Sequence, residues 1–274
     1  NGSAFDFSAG GMYRDKNRDS FFNEYTFNSA TGSGDPQYLG EDWNNFDEIL
    51  LTPRRYGNIS DPLNYDATER IGTGYGMVKY TWDKWELIGG VRVEHTDQGY
   101  SLKFPTENAD PEGRQRYIDV LPSFHAKYGV HKNANIRFSY GRSINRPSFF
   151  EIVPYSIINE DYKEKGNPDL KHTVADNIDL RYEFFPKTSE QFMVGLFYKR
   201  LNNPIEYGLL NEGQDVYYKP MNFGDATNLG VEIDVMKYFN WFGVKANYTY
   251  THSSITTDKR VMEGSEVKSV SQSR

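Results

Sequence analysis

The chain has 274 residues and a formal net charge of −7, and hydrophobic residues make up 37% of it while aromatic residues make up 16%. The acidic balance without a basic tract argues against a nucleic-acid partner, the high aromatic content argues against disorder, and the absence of cysteine excludes disulfides and thiolate sites. No apolar run approaches the roughly 20 residues of a membrane helix.

Alternation of apolar and polar residues recurs from end to end. Ile118, Val120 and Phe124, for example, alternate with Asp119 and His125. Successive side chains of a strand point to opposite faces, so such segments have one apolar and one polar face. The pattern predicts nine strands, near 4–22, 68–82, 85–97, 115–129, 133–143, 172–185, 189–202, 215–238 and 241–255.

Alternation alone also fits a soluble β-sandwich, and the connections favour another architecture. Tight turns at 83–84, 130–132, 186–188 and 239–240 alternate with long polar links near 23–67, 98–114, 144–171 and 203–214. In an antiparallel up-and-down sheet, this order places every short turn at one end and every long loop at the other. Outer-membrane barrels have this arrangement, with short periplasmic turns and long extracellular loops. The sequence therefore predicts an all-β, antiparallel transmembrane β-barrel.

Aromatic residues cluster beside the short turns, where their rings suit a membrane boundary. Core aromatics of a sandwich would instead centre on the strands. The expected interface residues at the turns are Trp82, Trp85, Phe184, Phe192, Tyr238, Phe239, Trp241 and Phe242. A second girdle, at the other boundary, is expected from Tyr100, Tyr117, Tyr140, Tyr198 and Tyr250.

Nine strands do not make a complete barrel, because bacterial single-chain barrels have even strand numbers. The chain opens in a predicted strand and ends in a polar stretch from Thr256 that we interpret as a loop. We therefore expect residues 1–274 to form an internal segment of a larger barrel domain, with the final strands absent.

Several segments resemble TonB-dependent outer-membrane receptors, especially those of the Bacteroidetes type. They are Asp119–Tyr128 (DVLPSFHAKY), Arg137–Phe150 (RFSYGRSINRPSFF), Gly166–Leu170 (GNPDL), Asn222–Glu232 (NFGDATNLGVE) and Asn247–Tyr250 (NYTY). The resemblance covers the first strand and nearly everything from about residue 65. The Arg-Pro-Ser-Phe and Gly-Asn-Pro-Asp-Leu elements, in this order, are its most specific part.

The resemblance implies a 22-stranded barrel in a Gram-negative outer membrane, with a plug domain in its lumen. It also implies energy from the TonB–ExbB–ExbD complex, reached through the plug and N-terminal region, and a possible surface lipoprotein partner. The sequence departs from the family pattern in having no coupling box, no plug and no final aromatic-ended strands. The implied function is energised uptake of a ligand too large for porins: a siderophore, haem, cobalamin, oligosaccharide or peptide.

Cationic and aromatic side chains in the long loops could bind an anionic or sugar-like ligand. The candidates are Arg54, Arg55 and Tyr56 in the first loop, and Arg142, Arg146, Phe149, Phe150 and Tyr155 in the third. The alternative is that Arg142 and Arg146 pair with lumen carboxylates and that the aromatics pack within the loop.

No catalytic or metal site is expected, and no cofactor. The five histidines are scattered without ligand spacing, and no acid, base or nucleophile constellation emerges, so an enzyme is not predicted. Gly72, Gly74 and Gly76 open a strand and not a helix, which excludes a dinucleotide site. Two alternatives to an energised importer stay open: a passive porin or structural barrel, and a secreted carbohydrate-binding β-sandwich.

Overall fold

A computed structural model describes residues 2–22, 25–29, 49–53, 62–105, 110–158, 163–212, 215–263 and 266–273. Nearly all of the regular structure in these ranges is β. In chain order the elements are β1 (Ala4–Ser20), β2 (Tyr25–Ser29), β3 (Ile49–Pro53), β4 (Tyr65–Trp82), β5 (Trp85–Leu102), β6 (Glu112–His131), β7 (Ala134–Asn145), α1 (Phe149–Ile152), β8 (Ser156–Ile158), β9 (Lys163–Lys165), β10 (Thr173–Phe184), β11 (Gln191–Asn202), β12 (Ile205–Glu212), β13 (Asp215–Asn222), β14 (Ala226–Tyr238), β15 (Gly243–Glu263) and β16 (Glu266–Ser273).

Ten of the strands form one sheet, in the order β1-β4-β5-β6-β7-β10-β11-β14-β15-β16. Every neighbouring pair in it is antiparallel, and the order follows the chain once β2, β3, β8, β9, β12 and β13 are set aside. This is the predicted up-and-down arrangement. The ten strands lie side by side in one layer, so the β-sandwich alternative is wrong for the described chain.

The register gives this sheet one apolar and one polar face. One row of cross-strand partners on the apolar face, here called the outer face, is Phe5–Tyr80–Leu87–Ala126–Phe138–Leu180–Leu196–Val231–Tyr250. The next row on the opposite, inner face is Asp6–Lys79–Ile88–His125–Ser139–Asp179–Phe197–Gly230–Thr251. A shift by one residue would exchange these two sets, so the hydrophobic pattern specifies the register.

The short connections lie at one end of the sheet, as predicted. Trp82 pairs with Trp85 across the turn at 83–84, where Asp83 has a φ of 50°. Aspartate is one of the few residues that tolerate this left-handed conformation, which tight turns require. We call this the turn end, and the opposite end the loop end.

The structure corrects several predicted boundaries at the loop end. The predicted strand 215–238 is broken at 223–225 into β13 and β14, and the predicted loop 203–214 contains β12. The link predicted at 98–114 is shorter, because β5 continues to Leu102 and β6 begins at Glu112. The polar stretch from Thr256 is not a loop: β15 runs to Glu263 and β16 follows, which adds a tenth strand to the sheet.

The connections that follow β7 and β11 fold into a second, smaller sheet. Its strand order is β12-β13-β9-β8, and β13 pairs with β9 in parallel through Tyr217 with Lys163 and Tyr218 with Glu164. We call it the roof sheet. Within the predicted link 144–171 it takes β8 and β9, and it takes both strands of the β12–β13 hairpin.

The parts of the connection between β7 and β10 on either side of β8 and β9, residues 146–155 and 166–172, pack against the inner face of the main sheet. We call these two parts the strap. It contains α1, and its residues Phe149, Ile152, Val153 and Leu170 are buried against the main sheet in one cluster with Tyr65, Ala67, Tyr100 and Leu102. The main hydrophobic cluster of the described chain is therefore at the loop end, between the strap and strands β4 and β5.

The ladder between β6 and β7 is incomplete. It begins where Ser123 pairs with Gly141 and continues only toward the turn end. The part of β6 from Glu112 to Pro122 therefore has no partner on that side among the described strands. Proline has no backbone N–H to donate to a ladder, which explains why pairing stops there. Side chains of this part of β6 contact the strap instead, as described below.

Candidate ligand-facing interior

The first end of the strap is anchored to β5 through buried polar side chains. Arg146 forms an ion pair with Glu94 and donates from Nε to Thr96 Oγ1 at 3.0 Å. Gln98 donates from Nε2 to the Pro147 carbonyl at 2.8 Å. Glu94, Thr96 and Gln98 are all buried, and a second guanidinium, that of Arg92, contacts Glu94 at 2.8 Å. Buried polar groups need such partners, so this network fixes where the strap begins.

The second end of the strap is anchored to the part of β6 that lacks a strand partner. Gln115 donates from Nε2 to the carbonyls of Pro168 and Leu170, each at 2.8 Å. The His172 ring stacks on Tyr117 with 4.1 Å between centroids, and His172 Nε2 lies 2.9 Å from Asp119 Oδ1. Side-chain contacts thus replace the missing backbone ladder along this edge.

A charged surface lines the inner face nearer the turn end. Arg137 donates to Glu183 at 2.7 Å, Lys79 lies 3.0 Å from Glu86, and Ser139 donates to Asp179 at 3.3 Å. Glu86, Arg137, Ser139 and Asp179, with Lys127 and Arg181, line a cavity of about 460 Å³. Near the turn end the inner face is therefore a polar and charged surface, as a barrel lumen is.

Tyrosines pack where the strap meets the roof sheet and within the roof sheet itself. Tyr155 donates from its hydroxyl to Glu164 Oε1 at 2.8 Å, and its ring lies 4.3 Å from that of Phe150. Burial raises the pKa of Tyr155, and the hydrogen bond to Glu164 raises it further. Tyr207 stacks on Tyr218 at 5.0 Å, and burial, aided by the charges of Glu151 and Glu164, raises the pKa of Tyr207 to about 12. Both hydroxyls are neutral at physiological pH and can act as hydrogen-bond donors.

Only some of the predicted site residues meet in this interior. Arg146 and Phe149 belong to the buried strap anchor, and Phe150 and Tyr155 lie beside the roof sheet. Arg142 does not join them: it lies in the outer-face register and pairs with Asp176 at 2.9 Å. Arg54, Arg55 and Tyr56 lie outside the described residues. Arg146 therefore pairs with a lumen carboxylate, as the alternative predicted, whereas Arg142 pairs with a carboxylate on the outer face and not in the lumen.

The predicted interface aromatics are largely exposed at the turn end. Trp82, Trp85, Phe184 and Phe192 lie in the outer-face register, and Phe239 and Phe242 stack at 4.7 Å in the last turn, next to the exposed Trp241. Tyr238 lies in the inner-face register, with its ring over Gly243. In the second predicted girdle, Tyr140, Tyr198 and Tyr250 lie in the outer register. Tyr100 and Tyr117 do not; they lie in the inner register and contact the strap region.

An outward apolar face, an inner charged face and turns sorted to one end are the features of a membrane barrel wall. The family model described as the outer membrane protein beta-barrel family matches residues 1–273. The chain belongs to this family. It is therefore an outer-membrane protein of a Gram-negative bacterium, built on an antiparallel barrel sheet. A search of curated protein sequences finds no significant match.

Solved structures with the same fold are outer-membrane receptors and transporters. The barrel sheet matches the siderophore receptor PiuA from Acinetobacter baumannii with a TM-score of 0.64 at 15% identity, over 97% of this chain and 38% of that one. It matches the ferric-catecholate import receptor Fiu from E. coli K12 with 0.57 at 15%, over 92% and 35%. It matches the copper transporter OprC with 0.55 at 13%, over 77% and 34%. The resemblance to TonB-dependent receptors is thus confirmed for the fold, and the chain spans little more than a third of these structures.

The strap anchors on β5 and β6 were missed at the level of sequence. Glu94, Thr96, Gln98 and Asp119 occupy inner-face positions, which the alternation identified only as polar. Their partners lie about 50 residues away in the chain. One local signal was available: Ser148 and Glu151 form a capping box at α1, which the spacing Ser-x-x-Glu predicts.

Two further classes of site are not found in the described ranges. No group of three or more His, Asp or Glu residues there could hold a metal ion. No helix there is long and apolar enough to cross a membrane.

Proposed function

We propose that this barrel sheet belongs to a receptor for energised uptake, driven by the TonB–ExbB–ExbD complex through a plug and N-terminal region. The ligand is one too large for porins: a siderophore, haem, cobalamin, an oligosaccharide or a peptide. The observation that carries the proposal is the strap, which is buried against the inner face at the loop end and is joined there to the roof sheet. A passive pore needs an open path, whereas this arrangement narrows the path and presents aromatic and charged groups to an incoming ligand.

The roof supplies the ligand contacts in this proposal. Phe150 and Tyr207 offer ring faces, the Tyr207 hydroxyl can act as a donor, and Lys163 and Lys165 lie over the Tyr217 ring at 5.8 and 4.8 Å. Tyr155 is fully buried, and its hydroxyl donates to Glu164, so in this proposal it supports the roof. Cations and aromatic rings together suit anionic, ring-bearing or sugar-like ligands. Arg54, Arg55 and Tyr56 remain candidates for the same role. Arg146 and Phe149 act as anchors of the strap and not as ligand contacts.

The siderophore and copper cargoes belong to the structural neighbours by their names, and the shared fold does not choose among cargoes. A surface lipoprotein remains a candidate partner, and the Bacteroidetes-type assignment remains a prediction. We propose that the long connections face the cell exterior and that the role is not catalytic.

A growth test of a deletion strain decides the proposal. The strain is grown on limiting defined iron sources and on defined glycans, with and without the full-length gene, in backgrounds with and without TonB. Loss of growth on one source, restored by the gene only when TonB is present, is the expected result. Restoration that does not depend on TonB would favour a passive porin. A roof variant, Tyr207→Ala, should lower uptake without lowering the amount of protein in the membrane.

A further inference from the structure

The outer face carries a ring of charged residues at the loop end. On seven strands, β1, β4, β5, β6, β7, β10 and β11, the outward side chains from the turn end are apolar or glycine, with His95 on β5 as the exception, and a charged residue ends the run. On β4, β6, β7 and β11 this residue is arginine, and on β1, β5 and β10 it is aspartate. The ring consists of Asp15, Arg70, Asp97 and Arg116, which are cross-strand partners, and of Arg142, Asp176 and Arg200, which form a second such row.

Each guanidinium of the second row has a carboxylate of its own, because Arg200 pairs with Asp225 at 2.7 Å, whereas two arginines of β6 share one carboxylate. Asp176 accepts from Arg142 Nε at 2.9 Å, from Arg142 Nη2 at 3.1 Å and from the Tyr140 hydroxyl at 2.8 Å, so this carboxylate and guanidinium match. On β6, Arg114 and Arg116 share the single carboxylate of Asp97. Arg114 binds both of its oxygens, at 2.6 and 2.5 Å, and Arg116 binds one, at 3.1 Å.

These two arginines, here called the arginine pair, are open to the surroundings. The exposed fractions of their side chains are 53% for Arg114 and 57% for Arg116. Arg70, opposite Asp97 in the register, adds a third guanidinium and lies 3.5 Å from its own partner Asp15. Three arginines and two aspartates therefore lie close together here, with Glu112 as the next outward residue on β6, and the arginine pair lies in the outer-face register.

The arginine pair lies just beyond the apolar band. Ile118, which is the next outward residue from Arg116 toward the turn end, is 67% exposed. From Tyr128 to Ile118 the strand advances ten residues, or about 34 Å at about 3.4 Å per residue. With the usual tilt of about 45°, this corresponds to a height of about 25 Å, the height of the apolar band of a membrane barrel. Arg114 and Arg116 are consequently at the level of lipid headgroups.

We propose that the arginine pair binds a phosphate group of a lipid headgroup in the outer leaflet of the outer membrane. Guanidinium groups bind phosphate through paired N–H donors, and partial desolvation at the headgroup level strengthens such contacts. A second carboxylate would be expected beside Arg116 if the pair served only to hold β5 against β6. The site goes beyond the proposed function; only its assignment to the outer leaflet depends on the loop end facing outward.

The test measures binding of a phosphorylated glycolipid, diphosphorylated lipid A, to the delipidated full-length protein in detergent. The variant is Arg114→Gln with Arg116→Gln. The matched control, Arg181→Gln with Lys199→Gln, removes two positive charges from the inner-face register on β10 and β11. With a basic side chain at a membrane surface contributing about 1 kcal/mol, the pair variant should bind about thirtyfold more weakly. The control should change binding less than twofold.

Further arms separate the sources of phosphate and the effects of folding. Inorganic phosphate at millimolar concentration should not displace lipid A, and dephosphorylated lipid A should bind wild type as weakly as phosphorylated lipid A binds the pair variant. Equal weakening in variant and control, or displacement by inorganic phosphate, would overturn the proposal. If the Gln variant fails to fold, Arg114→Lys with Arg116→Lys replaces it and should weaken lipid A binding by severalfold; unchanged binding would count against the site.

Discussion

The assignment of the outer face can be tested by placing one charge in its middle. Leu196 on β11 is 51% exposed, and its cross-strand partners are Leu180 on β10 and Val231 on β14. Four residues, or about 14 Å of strand, separate it from Phe192 toward the turn end, and the same length separates it from Arg200. It is therefore near the middle of the apolar run, where an arginine on the lipid side costs about 2–4 kcal/mol.

The matched variant is Met193→Arg, three residues away in the inner-face register. Met193 pairs with Glu183 and Asp234, so a new guanidinium there has carboxylates within reach. We expect Leu196→Arg to lower the free energy of unfolding by about 2–4 kcal/mol, and Met193→Arg to change it by less than about 1 kcal/mol. The measurement is denaturant unfolding of the full-length protein in lipid vesicles, followed by tryptophan fluorescence. Equal costs for the two variants, or a larger cost for Met193→Arg, would refute the assignment of the faces.

Three further predictions concern the strap and the roof. Arg146→Ala leaves buried Glu94 with one guanidinium partner and should lower the local stability of the strap by about 1–3 kcal/mol. The loss should be measured as faster protease cleavage within the strap, and Arg142→Ala should leave the cleavage rate unchanged. Gly166→Ala should loosen the strap in the same assay, because an added Cβ would lie 1.7 Å from the Val153 carbonyl oxygen, whereas Gly72→Ala meets open space. The roof should lose stability as pH rises from about 10 to about 12, because the Tyr207 hydroxyl loses its proton at a lower pH in the unfolded chain than in the folded one. Tyr207→Phe should remove part of that loss. A variant with the same pH profile as the wild type would contradict this prediction.

The sheet could be predicted from the sequence because its information is local. Apolar and polar residues alternate along each strand, and each tight turn is so short that the two strands it joins must lie side by side. The strand order could therefore be predicted once the turns were found. The break between β13 and β14 lies at Phe223–Asp225, where Gly224 and Asp225 favour a turn, and the prediction continued one strand through these residues. The tenth strand was missed because residues 266–273 (EVKSVSQS) are mostly polar, which weakens the hydrophobic signal of a strand.

The strap and its anchors could not be predicted in the same way. Arg146 and Glu94 are 52 residues apart, and His172 and Asp119 are 53 apart, with no periodic pattern to relate them. An arginine after a barrel strand is compatible with a ligand contact, a lumen ion pair or an outer-face ion pair. Arg142 and Arg146, four residues apart, illustrate this, since one pairs on the outer face and the other on the inner face.

The parallel pairing of β9 with β13 has a consequence for how this chain can diverge among relatives. Loops of a barrel ordinarily change length independently, because each belongs to one hairpin. Here Tyr217 and Tyr218 of one hairpin are held in register with Lys163 and Glu164 of another. An insertion on either side of that contact would displace its partner, so the two connections should gain and lose residues together. A lineage that acquires a new cargo would then exchange both as one unit and leave the wall strands unchanged.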